Sequence, residues 1–590
     1  MDKEYKSDMM SEETTPSPSP INSNDEENRE TIGNTKDVKK NFLKDFVDSF
    51  KQIEINMDDV DPNLSAMEKA NIRSARAPLK RSLKNRHIQM IAIGGSIGTG
   101  LFVGAGGALA SGGPAALLIG WLLTGIMIYC TVQALGELAV TFPVSGSFII
   151  YNARFVSTPW GFCMAWNYVL NWIITLPLEL VAAAITINYW DKTTNSAAWV
   201  VIFYVLIVLI NFFGVKGYGE AEFIFSIIKV IAIIGFAILG IVLVCGGGPH
   251  GGYMGGKYWH EPGAFSHGFH GVCSVFVTAA FSFAGTELCG LAAAETENPR
   301  KSLPKATKQV FWRITLFYII SLTLIGLLVP YNDERLLNGS SSADAKASPF
   351  VIAIVNAGIS GLPSVMNVVI MIAVLSVGNS AVFGCSRTIA SLADMGFAPQ
   401  CFGYIDREGR PLVGVVITLA FGLLCFLAAS PKQNDVFTWL LALSGLCTIF
   451  NWGSICFCHI RFRRALAIRG RGTDELAFTS QCGVIGSWFG VLMNVLILIA
   501  QFYVALFPIG AEPSAEGFFE SYLTVPVLIL FYVVYLVWKK DFTFFIRARD
   551  IDIDTGRREV DLDLLKQEIA EEKAYIASKP FYFRFYKFWC

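Results

Sequence analysis

Polar and apolar positions are not interleaved along most of this chain; they come in blocks. Twelve apolar runs lie at roughly 88–108, 114–140, 162–190, 198–214, 222–246, 271–294, 308–330, 363–393, 411–429, 435–460, 485–507 and 522–538. About 20 apolar residues are enough for a helix to cross a bilayer core. Lipid offers no partner to main-chain N–H and C=O groups. Spans of this kind are therefore helices, or breaks in helices shielded from lipid. The pattern predicts an all-α integral membrane protein with twelve transmembrane helices.

The first block contradicts itself. "IGGSIGTGLF", Ile93 to Phe102, holds four Gly, with a Ser and a Thr besides. Each Gly inside a helix costs about 1 kcal/mol relative to Ala. Five spans later, "FAGTE", Phe283 to Glu287, sets a Gly, a Thr and a Glu at membrane depth. A single Gly-rich span would read as a close helix crossing. Two interruptions at corresponding places point instead to an inverted-repeat transporter with its site at the midplane. Helices 1 and 6 are then discontinuous.

Charge adds orientation. The inner loop near 461–471 carries Arg461, Arg463, Arg464, Arg469 and Arg471, whereas the long outer loop 247–270 carries Lys257 alone. Lys and Arg collect on the cytoplasmic side, which places both termini inside. The net charge of −1 hides this asymmetry. Residues 1–79 are polar, with "TTPSPSPINSNDEENRE", and read as a mostly disordered cytoplasmic tail without a cleavable leader. Within them "KKNFLKDFVDSFKQIEI" has the spacing of a short amphipathic helix. Residues 80–540 form the twelve-helix domain, and 541–590 a cytoplasmic tail. "REVDLDLLKQEIAEEKAYIAS" in that tail has helical periodicity, and "KPFYFRFYKFWC" suits a membrane interface.

Ionisable groups inside spans are costly and mark function. Glu179, Glu287 and Lys229 are the deep ones and the candidates for proton coupling. Glu137, Arg313 and Arg387 lie near span ends and read as snorkelling side chains. The thirteen Cys are scattered and make no disulfide framework, with Cys245 and Cys273, which flank the longest outer loop, the candidates for a pair. His250, His260, His267 and His270 read as solvated loop residues, with no metal spacing. No nucleophile–base motif points to an enzyme.

The breaks have their own chemistry. Unwinding at Gly98–Gly100 frees N–H donors at the start of a half-helix, which suit a carboxylate. The ends before each gap expose carbonyls, which suit an ammonium. Donors on one side and carbonyls on the other fit an α-amino acid, while choline or a polyamine would use the carbonyls alone. Pocket side chains are expected from spans 3, 8 and 10, with Glu179, Asn379 and Ser444 as candidates. Each of the three also reads as a helix–helix hydrogen bond.

"GGSIGTGLFVG", "SGGPAALLIGWLLTG", "ALGELAVTFPVSGSF" and "FAGTELCGLAAAETENPRKSLPKA" together closely resemble the fungal amino acid permeases of the amino acid–polyamine–organocation superfamily. "APLKRSLKNRHIQMIAIGGSIGTGLF" looks most like the general amino acid permease branch. The resemblance covers roughly 70–590. It implies a leucine-transporter-type fold, with five helices, an inverted copy of five, and two more. It implies that Thr99 and Gly100, beside Gly98, hold the substrate carboxylate. Ser96, Phe281 and Ala284 then offer carbonyls to the amino group, and Phe281 resembles an aromatic gate. Glu287 is tied to proton sensing by the same resemblance, and Lys229 stands in place of a sodium ion. That last placement rests on spacing from Glu222.

The expected function is therefore proton-coupled symport of L-amino acids, of broad range, at the plasma membrane, by alternating access. It needs no cofactor, metal or nucleic acid. A nutrient receptor of the same fold is the competing class. A pocket restricted to histidine, basic amino acids or choline-like cations also stays open. The family ending implies palmitoylation at Cys590. The family also implies ubiquitin ligase machinery and trafficking factors acting on the tails, at Lys3 and Lys6. Asn338 in "NGS" matches a glycosylation sequon.

Overall fold

The computed structural model describes residues 44, 48–53, 83–95, 97–191, 193–296, 298–337, 348–429, 433–557 and 562–589. Ser96, Asn338, Cys590, Lys3 and Lys6 lie outside them, as does nearly all of 1–79. Contacts divide the chain into two units, Met1–Lys51 and Gln52–Cys590. In the first, Lys51 pairs with Asp48 at 2.6 Å. The second is helical, and its described residues hold no strand beyond two isolated bridges.

The helices follow the apolar blocks. α1 is Asn85–Gly94, and α2 is Ala105–Thr141. α3 is Phe148–Phe155, α4 Thr158–Ile187, α5 Ser196–Phe212 and α6 Gly214–Val244. α7 (Gly268–Ser274), α8 (Phe276–Phe283) and α9 (Leu288–Leu291) share the sixth block. Then come α10 (Pro299–Arg313), α11 (Ser321–Leu328), α12 (Leu362–Asp394), α13 (Leu412–Gly422) and α14 (Gln433–Ile468). α15 (Gly483–Leu506), α16 (Ala515–Tyr522) and α17 (Thr524–Lys539) close the apolar part. α18 (Leu562–Ala577) and α19 (Phe581–Trp589) lie in the C-terminal tail.

Eight helical runs among the described residues are long and apolar enough to cross a membrane, or nine if α16 and α17, bent by 65°, count as one. Ser196–Phe212 and Leu412–Leu427 are apolar but shorter. The first two blocks meet in one run, Gly100–Thr141, instead of being parted by a loop. Gly113 turns the chain there with φ 82° and ψ 172°. A Cβ on Gly113 would stand 2.7 Å from Ala264 O, so the kink needs glycine both for its dihedral and for its neighbour.

Glu137, Arg313 and Arg387 do not snorkel; all three are buried. Arg387 grips Glu295 with two bonds, Nε to Oε1 at 2.5 Å and Nη2 to Oε2 at 3.1 Å. Glu137 lies 2.6 Å from Arg463 Nε and 3.1 Å from His459 Nε2. Each has found a polar partner on another helix, so none needs to stretch to water. Cys245 and Cys273 are free thiols, the first exposed and the second buried, so the pairing across the outer loop is not made.

The stretch after α17 crosses the Arg-rich end of the bundle without helix or strand, turning at 548–550 and 555–556. Ile546 N donates to Val156 O at 2.9 Å. Arg154, buried, donates from Nε to Asp552 O at 2.7 Å and from Nη2 to Thr555 O at 2.5 Å. Arg461 binds the Ile546 carbonyl, and Arg469 the Ile551 carbonyl at 2.6 Å. Ile551 and Ile553 are fully buried beneath. Burial would push the Asp552 carboxyl up, but Arg154 and the Thr555 and Asp554 amides hold it below its ordinary value. A carboxyl lowered by folding stabilises docking above an unfolded value of about 3.9 and loses that contribution as pH falls through its folded value. Arg154→Ala should therefore release the strap. Protease added to membranes opened to both faces should cut between residues 541 and 557 severalfold faster than in the native protein. An acid-active protease should cut the native chain there faster as pH drops below the ordinary carboxylate range. Equal cutting of both chains would exclude this account.

Candidate functional site

The site begins where α1 stops. Its last carbonyls, like those of any helix end, lack intrahelical partners and carry the negative end of the helix dipole. Residues 95–99 separate Gly94 from a loosely wound turn, Gly100–Gly104, that runs on into α2. Among the described residues, Ile97 N donates to Gly94 O at 3.1 Å and Phe102 N to Gly98 O at 3.2 Å across the gap. Two buried cations answer the carbonyl end. Lys229 Nζ, from α6, donates to Gly94 O at 2.5 Å and to Ser376 Oγ at 2.8 Å, and stands 3.5 Å from Glu222 Oε1. Arg313, from α10, donates to Ala92 O at 2.6 Å.

Arg313 also donates to Thr286 Oγ1, which lies in the second gap. There α8 ends at Phe283 and α9 starts at Leu288. Ala284 is extended, with ψ 141°, and Gly285 has φ 91°. One guanidinium thus ties the two interruptions together. Glu287, just beyond, accepts from Trp452 Nε1 at 3.1 Å and Tyr168 Oη at 3.2 Å. The Phe281 carbonyl accepts from Ala284 N at 3.1 Å.

The start of the Gly100 turn packs against the main chain of α8. A Cβ on Gly100 would fall 2.5 Å from Ser282 Cα and 2.8 Å from Ser282 N. A Cβ on Gly98 would fall 2.5 Å from Val377 Cγ2 on α12. Gly98 and Gly100, which follow the end of α1, let the chain approach α12 and α8.

Thr99 donates its hydroxyl to Glu179 Oε2, on α4. Glu179 is buried, and its Oε1 takes no hydrogen bond among the described residues. Asn379 Oδ1 accepts from Asn211 Nδ2 at 2.8 Å, and Asn379 Nδ2 is buried without a hydrogen-bond partner among the described residues. Ser444 donates to Asn171 Oδ1 at 2.6 Å and lies 3.0 Å from Thr175 Oγ1. The structure thus brings Gly98, Thr99, Gly100, Glu179 and Lys229 to the first gap. Phe281, Ala284 and Glu287 belong to the second. Asn379 and Ser444 hold helices together on the α12 and α14 sides.

Several site residues escaped the sequence reading. Glu222 was used only as a spacing mark, although seven residues before Lys229 is two turns along one face. Ser376, Ser282 and Asn171 carried no signal, being small polar groups in apolar blocks. Arg313 was misjudged because it was read by depth alone.

The sequence profile of the amino acid permease family matches residues 87–547. The chain belongs to the amino acid permease family. Both gaps and all of their buried ions lie inside the matched region of this permease. It is similar to "General amino-acid permease GAP2" of Candida albicans, 69% identical over 553 residues, covering 94% of each chain. It is also similar to "General amino-acid permease GAP1" of Saccharomyces cerevisiae, 62% identical over 553 residues, covering 93% of this chain and 91% of that one. "Histidine permease" of the same yeast is 53% identical over 518 residues, covering 87% and 86%.

Gly100→Ala tests the contact in this permease. The atoms it would meet are main chain and cannot rotate away. We expect uptake to fall at least about tenfold, with lower thermal stability in detergent, an overpacking cost of about 1–3 kcal/mol. Gly107→Ala meets nothing within 4 Å and should change neither. Native-like behaviour of Gly100→Ala would remove the contact from the account.

Proposed function

We propose that this permease is a proton-coupled symporter of L-amino acids, of broad range, at the plasma membrane with both termini in the cytoplasm. The observation that carries this reading is the break between the end of α1 at Gly94 and the turn that starts at Gly100. A carboxylate, Glu179, sits beside it through Thr99, and a buried Lys229 closes its end. Membership of the amino acid permease family and the general amino-acid permeases among its relatives support the substrate class and its breadth.

We read the architecture as twelve crossings. The kink at Gly113 divides one long run into two, and the two shorter apolar helices and the bent pair α16–α17 each supply one. Crossings 1 and 6 are then the interrupted ones, at 95–99 and 284–287. N–H groups at the start of the Gly100 turn face a substrate carboxylate. The substrate ammonium goes to the free oxygen of Glu179 and to main-chain carbonyls of the gaps. Lys229 and Arg313 already occupy the carbonyls of Gly94 and Ala92, so these two are not the substrate's.

Lys229, Ser376 and Glu222 form a chain along which a proton moves. Ser376 Oγ lies 2.7 Å from Glu222 Oε2 and 2.8 Å from Lys229 Nζ. Losing the ammonium charge loosens the grip on Gly94 O, which links protonation to the end of α1. One charge crossing about 100 mV yields about 2.3 kcal/mol. Two pH units add about 2.7 kcal/mol. Together they sustain a substrate gradient of several thousand-fold, at about 1.4 kcal/mol for each factor of ten.

The test is uptake of labelled amino acids into proteoliposomes with an imposed proton gradient. Several amino acids should accumulate and a protonophore should discharge them. Uptake indifferent to the gradient removes the coupling, and binding without flux makes the protein a receptor. Glu222→Gln should lose most concentrative uptake while still binding substrate. Accumulation equal to that of the native permease would take the Glu222 pair out of the cycle.

A further inference from the structure

Three consecutive residues before α15 run along α2, roughly one turn of α2 per residue. Ser480 N donates to Glu137 Oε2 at 2.7 Å, and Gln481 N to Gln133 Oε1 at 3.3 Å. Cys130 and Cys482 then come together beside Gly486 of α15. Positions 137, 133 and 130 share one face of α2. Room for the sulfurs comes from α15. A Cβ on Gly486 would stand 3.3 Å from Cys130 Sγ, 3.6 Å from Cys130 Cβ and 2.3 Å from Cys482 Cβ. Both Cys Cβ atoms thus lie beside one point and no more than about 6 Å apart, against the about 3.5–4.5 Å that a disulfide spans. One turn on, a Cβ on Gly490 would meet Cys456 Sγ at 2.6 Å. No group of three or more His, Cys, Asp or Glu among the described residues could hold a metal ion.

The two thiols differ in the way that oxidation needs. Cys130 is buried, whereas Cys482 is partly open and stands at the residue just before α15, its side chain making no capping bond. The neighbouring Cys130 side chain holds the Cys482 thiol below its ordinary value, against the opposite pull of burial. A helix N-terminus favours a thiolate in the same direction. The loop between α14 and α15 lies on the Arg-rich side, where the compartment is reducing and a disulfide is transient and regulatory.

We propose that Cys130 and Cys482 form a redox staple: a peroxide converts them to a disulfide that ties α2 to the start of α15 and slows transport, and a cytosolic thiol reductant reopens it. The Cys482 thiolate attacks a peroxide oxygen. The O–O bond breaks, leaving a sulfenic acid and, once the released oxygen takes up a proton, water. The Cys130 sulfur then attacks the Cys482 sulfur, the S–S bond forms, and hydroxide leaves with the Cys130 proton as a second water. Two electrons pass from the thiols to the peroxide. α2 continues directly from the Gly100 turn, so a tie on α2 acts on the element that carries the first gap. The effect on transport rests on the function proposed above; formation of the bond does not.

The experiment uses full-length protein in native membranes, treated with hydrogen peroxide, alkylated and digested. Mass spectrometry should find the peptides of Cys130 and Cys482 joined, with two hydrogens lost. Labelled uptake in the same membranes should fall severalfold and recover with dithiothreitol. Cys482→Ser should keep basal uptake and become insensitive to peroxide, and Cys401→Ser, at an exposed thiol elsewhere, should behave like the native protein. Both thiols recovered alkylated after peroxide, or Cys482 joined to another cysteine, would overturn the pairing. A joined pair with unchanged uptake would overturn the staple's effect on transport.

Discussion

The carbonyl end of α1 is the constraint on which the rest turns. A helix that stops inside a bilayer leaves acceptors where water is scarce, and leaving them bare costs several kcal/mol each. Here the debt is met from α6 and α10, by Lys229 on Gly94 and Arg313 on Ala92. Those cations are themselves tolerable only because Glu222, Ser376 and Thr286 surround them. Burial of the ions and interruption of the helix are therefore one arrangement. Neither would persist without the other.

A second consequence is proximity. The interruption removes side chains along with helical order, and the main chain at Gly100 comes against that at Ser282. Arg313 then spans the two gaps, from Ala92 on one side to Thr286 on the other. A change at either gap is felt at the other through a contact without slack and a guanidinium with fixed geometry. Packed interiors respond to such changes by switching between arrangements rather than by stretching.

The sequence made the outline of this plan legible. Four Gly in ten residues announced the first gap, and the charge of Glu179 and Lys229 at depth announced its lining. What it hid was pairing. Lys229 meets Ser376, 147 positions away, and no periodicity connects the two. Glu137 and Arg387 were read as reaching for water because their depth was visible and their partners Arg463 and Glu295 were not. The kink at Gly113 was hidden for a related reason: its need for glycine comes from Ala264, in a distant loop. The run Ser480–Cys482 along α2 lies in a polar connection, where the pattern of apolar positions says nothing.

The strap after α17 has a further implication. Arg154, Arg461 and Arg469 hold it chiefly by its carbonyls, which every residue type supplies. Its side chains add further ties: Ile551 and Ile553 are buried, Asp552 and Asp554 pair with Arg154 and Arg471, and Phe545 meets Phe457. Its length is constrained as well. One residue added or removed between Ile546 and Thr555 would shift each carbonyl past its arginine. This part of the molecule reads as a ruler, marked at its carbonyls and intolerant of miscounting.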